Sequence, residues 1–171
     1  MAIRYPRGSG PGVVLDGVLQ ELPIGKGELL RDGKDVAIVA IGAMVYPSLE
    51  AAQELKKAGV DCMVINARFA KPLDSELILD SAKRVKRLLT VEENTLAGGF
   101  GSAVLQLLQN SDFHDVQVKC LGIPAVFIEH GPQSLLRSNY HLDAPGIARQ
   151  VLNSFPELSS PFKKHSLITS S

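Results

Sequence analysis

The sequence lacks tryptophan, has only two cysteines and carries no excess of either charge. Among its 171 residues, 18 Lys and Arg balance 18 Asp and Glu, and the pI is about 6.9. Nucleic-acid-binding surfaces need clustered basic charge, so we expect no nucleic-acid partner. The longest apolar run, residues 36–45, is far shorter than the roughly 20 residues of a membrane span, so we expect no membrane segment.

The cysteines argue against metal and disulfide chemistry. Cys62 and Cys120 each lie in an apolar run, without the Cys-x-x-Cys or Cys/His spacing that metal ligation or disulfide exchange needs. We therefore predict no metal site and two buried free thiols, which suit a reducing compartment. The residues after Met1 contain no apolar signal-peptide core, so we expect a cytoplasmic protein.

Strand and helix signals alternate from residue 36 onward. Continuous apolar runs predict strands that are buried on both faces, at residues 36–41, 62–65, 87–91 and 116–121. Segments with helical spacing follow them, beginning near Pro47, at Ser102, and after Asp74 and Asp143, which we predict to be N-caps. Strands joined by single helices pair in parallel through right-handed crossovers. We predict an α/β fold, a three-layer αβα sandwich with a mostly parallel sheet of about five strands.

The pattern is less regular near both ends. Glycine and proline at residues 9–12 predict a linker. We therefore divide the chain into a preceding domain's end with its linker (1–12), one α/β domain (13–155) and a flexible Ser-rich tail (156–171). Weaker signals predict a strand at Ile3–Tyr5, extended segments at 13–22, 24–30 and Phe127–Ile128, and a helical turn at Pro132–Arg137.

Candidate chemistry lies just after the strands, because ligands of parallel α/β sheets bind at the carboxyl ends of strands. Arg68 follows a strand, and its guanidinium can bind a phosphate or carboxylate in a bidentate fork, with Lys71 as a supporting charge. A surface arginine paired with an acidic neighbour is an equally open interpretation. Arg7, between Pro6 and Gly8, is either a second anion ligand or a linker residue.

A glycine-rich turn, Gly98–Gly101, precedes a predicted helix. Its backbone N–H groups can receive an anion, or its glycines can let the helix pack closely on a strand. Glu92 and Glu93, at the end of the preceding strand, can perform acid–base chemistry or bind a cation. The alternative is one buried hydrogen-bonding acid beside an exposed one.

Two further features carry charge. His130 has an imidazole, a group that can act as an acid or a base, but no Ser or Cys partner motif accompanies it, which favours a structural or interface role. The basic run at residues 83–87 closes a predicted helix, where cations complement the helix dipole. We therefore interpret the run as a solvent-exposed helix end without a functional role.

Six strings occur together in an order typical of one enzyme family. They are Tyr5-Pro6-Arg7-Gly8, Leu22-Pro23-Ile24-Gly25-Lys26-Gly27, the segment Arg68–Asp74, Thr90-Val91-Glu92-Glu93-Asn94, Gly98-Gly99-Phe100-Gly101 and Glu129-His130-Gly131. From Ile3 to Phe155 the sequence resembles the 1-deoxy-D-xylulose-5-phosphate synthases. The resemblance implies that residues 1–12 end a pyrimidine-binding domain and that 13–155 form a transketolase-type C-terminal domain.

The resemblance implies an enzyme that decarboxylates pyruvate on thiamine diphosphate with Mg²⁺. It joins the two-carbon fragment to glyceraldehyde 3-phosphate, giving a precursor of isoprenoids, thiamine and pyridoxal in the bacterial cytoplasm or the plastid stroma. Arg7 and Arg68 would hold the acceptor's phosphate. Other candidates near the site or an interface are Tyr5, Lys71, Glu92, Glu93 and His130.

The same resemblance implies that essential parts of the enzyme lie outside this chain. The family's GDG-type cofactor motif and its cofactor-activating glutamate belong to domains absent here. We therefore expect no catalytic, cofactor-binding or metal-binding residue in this chain and no activity from it alone. We expect the remaining domains, and a homodimer, to be its partners.

The chain departs from the family pattern at Ala125, where many relatives have an aspartate, and in its Ser-rich tail. Two alternatives stay open. One is the C-terminal domain of another thiamine diphosphate enzyme, a transketolase or a 2-oxo-acid dehydrogenase β subunit, which the Arg68–Asp74 string argues against. The other is a non-enzymatic anion-binding or regulatory module, since fold does not fix function.

Overall fold

The computed structural model describes residues 2, 3, 5, 10, 12, 17, 20–111 and 113–159. Arg7, most of the extended segment predicted at 13–22 and the tail from residue 160 onward lie outside these residues. The strand predicted at Ile3–Tyr5 includes Arg4, which is also outside them. The domain boundaries therefore stay predictions.

A five-stranded sheet in the order β1-β3-β2-β4-β5 forms the centre of the fold. Its strands are β1 (Glu28–Arg31), β2 (Val36–Ala40), β3 (Cys62–Asn66), β4 (Arg87–Thr95) and β5 (Gln117–Ile123). Strand β2 pairs in parallel with β3 and β4, and β4 in parallel with β5, whereas β1 pairs antiparallel with β3. The predicted α/β class with a mostly parallel sheet is confirmed.

Helices cover both faces of this sheet. They are α1 (Val45–Lys57), α2 (Ser75–Val85), α3 (Phe100–Gln109) and α5 (Ala144–Ser154), whereas α4 (Gln133–Asn139) contributes no buried residue. Helices α1 and α5 contribute to one hydrophobic core, and α2 and α3 to the other. The three layers of the predicted sandwich are therefore present.

The central strand β2 explains why its sequence is continuously apolar. Val36, Ile38 and Ala40 belong to the core under α1 and α5, whereas Ala37 and Val39 belong to the core under α2 and α3. Successive side chains of a strand point to opposite faces, so a strand between two helix layers needs apolar residues at every position. All five residues are fully buried.

Local chemistry fixes where the helices begin. The Asp74 carboxylate accepts a hydrogen bond from the Leu77 N–H at 3.2 Å, and the Asp143 carboxylate accepts one from the Gly146 N–H at 3.0 Å. Both are N-caps, which satisfy N–H groups that the first helical turn leaves unpaired. The two caps predicted from the sequence are confirmed.

Three predictions about local structure were wrong. Strand β4 continues to Thr95, rather than ending at Val91, because Thr95 still pairs with Ile123 of β5. Phe127 is not part of an extended strand: the chain leaves the sheet at Pro124, and Phe127 is 94% exposed. Residues Pro156–Leu158 form a short 3₁₀ helix instead of a frayed tail, because the Leu158 side chain is buried in the core.

The basic run at the end of α2 lies at the amino edge of the sheet and forms ion pairs. Arg84 pairs with Asp32 and Lys86 with Asp115, each at 2.7 Å, and Arg87 pairs with Glu157. Hydrogen bonds from Arg84 and Lys86 lower the pKa of Asp32 and Asp115 respectively. Such exposed pairs contribute little to stability, so this edge is a solvated surface, as expected.

No helix in the described part of the chain is both long enough and apolar enough to cross a bilayer.

The cysteines differ from each other: Cys62 is fully buried in β3, whereas Cys120 is only partly buried. The prediction of two buried thiols is therefore confirmed for Cys62 only. Cys120 is more accessible because β5 is an edge strand of the sheet.

We expect the burial of Cys62 to make stability depend on alkaline pH. Burial raises the pKa of this thiol to about 12 from its ordinary 9.0. The stability that it contributes is fully present below pH 9.0 and is lost as the pH rises through about 12, because only the unfolded thiol ionises readily in that window. Relative to Cys62→Ala, the wild-type free energy of unfolding should fall by up to about 1.4 kcal/mol per pH unit.

Urea unfolding at a series of alkaline pH values measures this difference. Cys120→Ala is the control and should follow the wild-type curve. A difference between wild type and Cys62→Ala that stays constant with pH would contradict the prediction.

Candidate functional site

The candidate residues from three strands lie along one edge of the sheet. Ala40 of β2 pairs with Asn66 of β3 and with Val91 of β4, so β2 and β3 end at the same level and β4 continues beyond it to Thr95. Neighbouring strands lie about 4.8 Å apart, which places Asn66 of β3 and Val91 of β4 about 10 Å from each other. Helix α1 leaves β2 toward one face, whereas α2 and α3 cover the other, so the topological switch point lies between β2 and β4.

Arg68 lies two residues beyond β3 and is constrained at both its main chain and its side chain. Its φ of +56° is in the left-handed region, which is unfavourable for a residue with a Cβ. Its N–H donates to the Asn66 side-chain oxygen at 3.1 Å. Its Nη2 donates to Glu28 Oε2 at 2.5 Å. The structure therefore shows the acidic neighbour that one interpretation of Arg68 expected.

Glu28 was not predicted from the sequence. It opposes Asn66 in the antiparallel pairing of β1 with β3, which brings it beside Arg68 although 40 residues separate the two. Lys71 is exposed in the loop that follows Arg68. Tyr5 is 81% exposed. Arg7 lies outside the described residues.

Glu92 is a buried acid that forms hydrogen bonds within the protein. Only 1% of the residue is exposed. Its two carboxylate oxygens accept hydrogen bonds from the N–H groups of Phe100 and Gly101, each at 2.8 Å. These N–H groups begin α3 and have no partner inside the helix. The anion at this glycine-rich helix start is therefore supplied by the chain itself.

The glycines of this turn allow the close contact. A Cβ on Gly99 would lie 2.4 Å from one Glu92 carboxylate oxygen and 2.2 Å from the Thr95 carbonyl oxygen. A Cβ on Gly101 would lie 2.6 Å from the Thr90 hydroxyl oxygen and 2.8 Å from the Cys120 sulfur. Both interpretations of the glycine-rich string thus apply at once, because the helix packs closely and its N–H groups receive an anion.

Glu93 contacts a residue that the sequence analysis did not select. Its Oε1 accepts a hydrogen bond from Arg137 Nε at 2.7 Å, with side chains 18% and 24% exposed respectively. Arg137 lies in the last turn of α4. The expected exposed neighbour of Glu92 is therefore mostly covered, and its carboxylate joins β4 to α4. The sequence around Arg137 indicates only that a cation near a helix C-terminus is favourable, and it does not indicate the pairing with Glu93.

His130 is exposed in the segment between β5 and α4. It lines an open cavity of about 340 Å³ whose other walls include Phe127, Glu129, Leu136 and Tyr140. No Lys or Arg lines this cavity, and bidentate recognition of phosphate relies on such side chains. Among the described residues, this cavity therefore lacks the side chains that recognise a phosphate.

The carboxylates at this edge are poorly placed for a cofactor's Mg²⁺. Glu92 accepts two backbone hydrogen bonds, Glu93 binds Arg137, and Glu28 binds Arg68. Within the described ranges, no three His, Cys, Asp or Glu residues are grouped so that they could hold a metal ion. The carboxylates described at this edge therefore do not form a site for a metal ion.

We expect Glu92→Ala to destabilise the fold strongly. The substitution leaves two buried N–H groups without an acceptor, at a cost of about 2–4 kcal/mol in the free energy of unfolding. Urea unfolding measures the loss. Glu76→Ala is the matched control, because Glu76 also lies in a first helical turn but its side chain is 77% exposed. Equal effects of the two substitutions would show that the Glu92 hydrogen bonds are dispensable.

Comparison with known proteins gives a consistent family assignment. The family model "Transketolase, C-terminal domain" matches residues 25–147. The chain is 56% identical, over 86% of its length, to 1-deoxy-D-xylulose-5-phosphate synthase 1 of Geobacter sulfurreducens, and 50% identical, over 92%, to the corresponding synthase of Halothermothrix orenii. It spans 23% and 25% of those relatives, or about a quarter of their length. The resemblance inferred from the six strings is confirmed.

A solved structure supports the same assignment. The fold matches a split-gene transketolase, described as an inactive β4 tetramer, with a TM-score of 0.74 and 35% sequence identity. That match covers 80% of this chain and 44% of the other. Sequence motifs, sheet topology and the match over residues 25–147 therefore agree, and the chain belongs to the transketolase C-terminal domain family.

Proposed function

We propose that this chain is the C-terminal domain of a 1-deoxy-D-xylulose-5-phosphate synthase, a thiamine-diphosphate-dependent transferase. The enzyme condenses pyruvate with glyceraldehyde 3-phosphate, with loss of CO₂, to give 1-deoxy-D-xylulose 5-phosphate. The observation that carries the proposal is 56% identity to a synthase of that name over 86% of this chain. Because the match spans 23% of that relative, the chain acts as one part of a larger enzyme.

In this proposal the chain supplies substrate contacts and assembly surfaces, while other domains hold the cofactor. Thiamine diphosphate supplies the electron sink that makes decarboxylation of pyruvate possible. Mg²⁺ binds with it. The engaged carboxylates at the carboxyl edge of the sheet are consistent with cofactor binding elsewhere. The remaining domains and a second copy of the enzyme are the proposed partners.

We propose that Arg68, together with Arg7, binds the phosphate of glyceraldehyde 3-phosphate. Arg68 lies at the carboxyl edge, with a strained main chain and a side chain that is 25% exposed. Its ion pair with Glu28 does not prevent this role, because a guanidinium has five N–H donors and Glu28 engages one nitrogen. The Glu28 side chain is 44% exposed, and exposed pairs of this kind are weak enough for a phosphate to replace.

A chimera tests the proposed activity. The C-terminal quarter of the Geobacter sulfurreducens relative is replaced by this chain, and product formation from pyruvate and glyceraldehyde 3-phosphate is measured. We expect the chimera to be active and the 171-residue chain alone to show no turnover. The control is the same relative truncated before its C-terminal quarter. Turnover by the isolated chain, or an inactive chimera that is folded, would contradict the proposal.

Arg68→Ala in the active chimera tests the phosphate contact. Losing a charged contact to phosphate should raise the activation free energy that corresponds to kcat/KM for glyceraldehyde 3-phosphate by about 2–4 kcal/mol. The KM for pyruvate should stay unchanged. Arg84→Ala is the control, since Arg84 is half exposed and paired at the opposite edge of the sheet. If Arg68→Ala alters only stability, its pairing with Glu28 is structural and the acceptor is bound elsewhere.

A transketolase-type parent is the second candidate, favoured by the 35% identity to the split-gene transketolase. The same chimera distinguishes the candidates, because a domain adapted to another reaction should not restore synthase activity in the Geobacter background.

A further inference from the structure

Two segments that are far apart in sequence pack side by side at the carboxyl edge of the sheet. One is the entry segment, residues 25–28, which leads into β1. The other is the Arg68 loop, residues 66–74, which connects β3 to α2. A Cβ on Gly27 would lie 3.0 Å from the Asn66 carbonyl oxygen, so the two main chains approach each other closely. Glu28 is therefore carried to the Arg68 loop by the fold itself.

The main chain is fixed on both sides of the Glu28–Arg68 contact. Glu28 opposes Asn66 in the pairing of β1 with β3. The N–H of the residue before it, Gly27, donates to the Asp74 carboxylate at 2.9 Å. On the other side, the Arg68 N–H donates to the Asn66 side-chain oxygen. Because both main chains are anchored, only the two side chains need to be ordered to hold the ion pair.

Glu28 contacts the guanidinium at one nitrogen. Arg68 Nη2 donates to Glu28 Oε2 at 2.5 Å. Nη2 carries two N–H groups, one on each of the two sides at which a guanidinium can bind an oxyanion with two parallel hydrogen bonds. One carboxylate oxygen uses one of these N–H groups, so one two-donor side stays complete. A phosphate that takes this side leaves the Glu28 pair intact, whereas displacing Glu28 would first break it.

An arginine that is already oriented binds phosphate at a lower entropic cost. Immobilising a side chain with many rotamers on binding weakens the affinity by about two- to tenfold, and a contact that orients the side chain beforehand removes that loss. Repulsion between Glu28 and the phosphate acts in the opposite direction. The Glu28 side chain is 44% exposed, and water and salt screen charges at such positions. The gain from orientation therefore outweighs the repulsion.

We propose that Glu28 is a positioning residue for acceptor binding. It holds the Arg68 guanidinium so that one two-donor side receives the phosphate of glyceraldehyde 3-phosphate. The inference rests on the proposed function, because it takes the acceptor's phosphate as the ligand of Arg68. Glu28 does not touch the substrate and acts through Arg68 alone.

Glu28→Ala in the chimera described above tests this role. The KM for glyceraldehyde 3-phosphate should rise about fivefold, because the arginine is no longer oriented before binding. The kcat and the KM for pyruvate should stay nearly unchanged. Glu28→Gln should restore most of the affinity, since its amide oxygen can accept the same hydrogen bond. A KM that falls or stays unchanged in Glu28→Ala would overturn the proposal, as would a Gln variant that is as impaired as the Ala variant.

The matched control is Asp61→Ala. Asp61 pairs with Arg31 at the other end of β1. The side chains of that pair are 43% and 21% exposed, close to the 44% and 25% of the Glu28–Arg68 pair. The control should leave the KM for glyceraldehyde 3-phosphate unchanged. An equal rise of this KM in both variants would show that any weakening of the edge strand is sufficient, which would overturn the positioning role.

A double substitution tests whether Glu28 acts through Arg68. In an Arg68→Ala background, Glu28→Ala should cause no further rise in the KM for glyceraldehyde 3-phosphate, because the group that it orients is gone. A further rise of similar size would show that Glu28 acts independently of Arg68, and the proposal would then be wrong.

The orientation itself can be measured without turnover. In the 171-residue chain, NMR relaxation of the Arg68 Nε–H bond reports how rigidly the guanidinium is held. Glu28→Ala should lower the order parameter of this bond to below about 0.6, the range of flexible groups. Asp61→Ala should leave it unchanged. An order parameter that does not depend on Glu28 would overturn the positioning role.

The failures of this inference and of the proposed function can be distinguished. A folded chimera that makes no product would overturn the synthase function, whatever the order parameter of Arg68. An active chimera in which Arg68→Ala weakens acceptor binding but Glu28→Ala does not would retain the function and overturn the positioning role.

Discussion

The carboxylate of Glu92 organises the carboxyl edge of the sheet. It is a fully buried acid within β4, and two backbone N–H groups of α3 satisfy it. A buried polar group is tolerated only when its hydrogen bonds are made, so β4 and α3 must hold one relative position. That position also fixes Glu93, and through Arg137 it fixes α4.

Much of the fold could be predicted from local sequence. The unbroken apolar run of β2 reflects two covering layers, and Asp74 and Asp143 were recognisable as caps because capping depends on residues three positions apart. Phe127–Ile128 was misassigned for a physical reason. Two apolar residues suit a strand only where a neighbouring strand offers hydrogen bonds, and β4, the partner of β5, ends at Thr95.

The site was harder to predict than the fold, because its contacts join distant parts of the chain. Arg68 was identified from its place after a strand, but Glu28 reaches it only through the antiparallel pairing of β1, which no local pattern indicates. Glu92 and the glycine-rich turn were each recognised with two interpretations. Neither string by itself shows that the acid and the helix start satisfy each other.

The side chain of Asp74 is shared between two elements of the fold. One of its carboxylate oxygens accepts a hydrogen bond from the Leu77 N–H in the first turn of α2, and the other accepts one from the Gly27 N–H just before β1. A single side chain therefore couples the entry of the chain into the sheet to the start of a helix 47 residues further along. Because contacts that share one group are not independent, a substitution at Asp74 should loosen the antiparallel edge strand and the helix together rather than one of them.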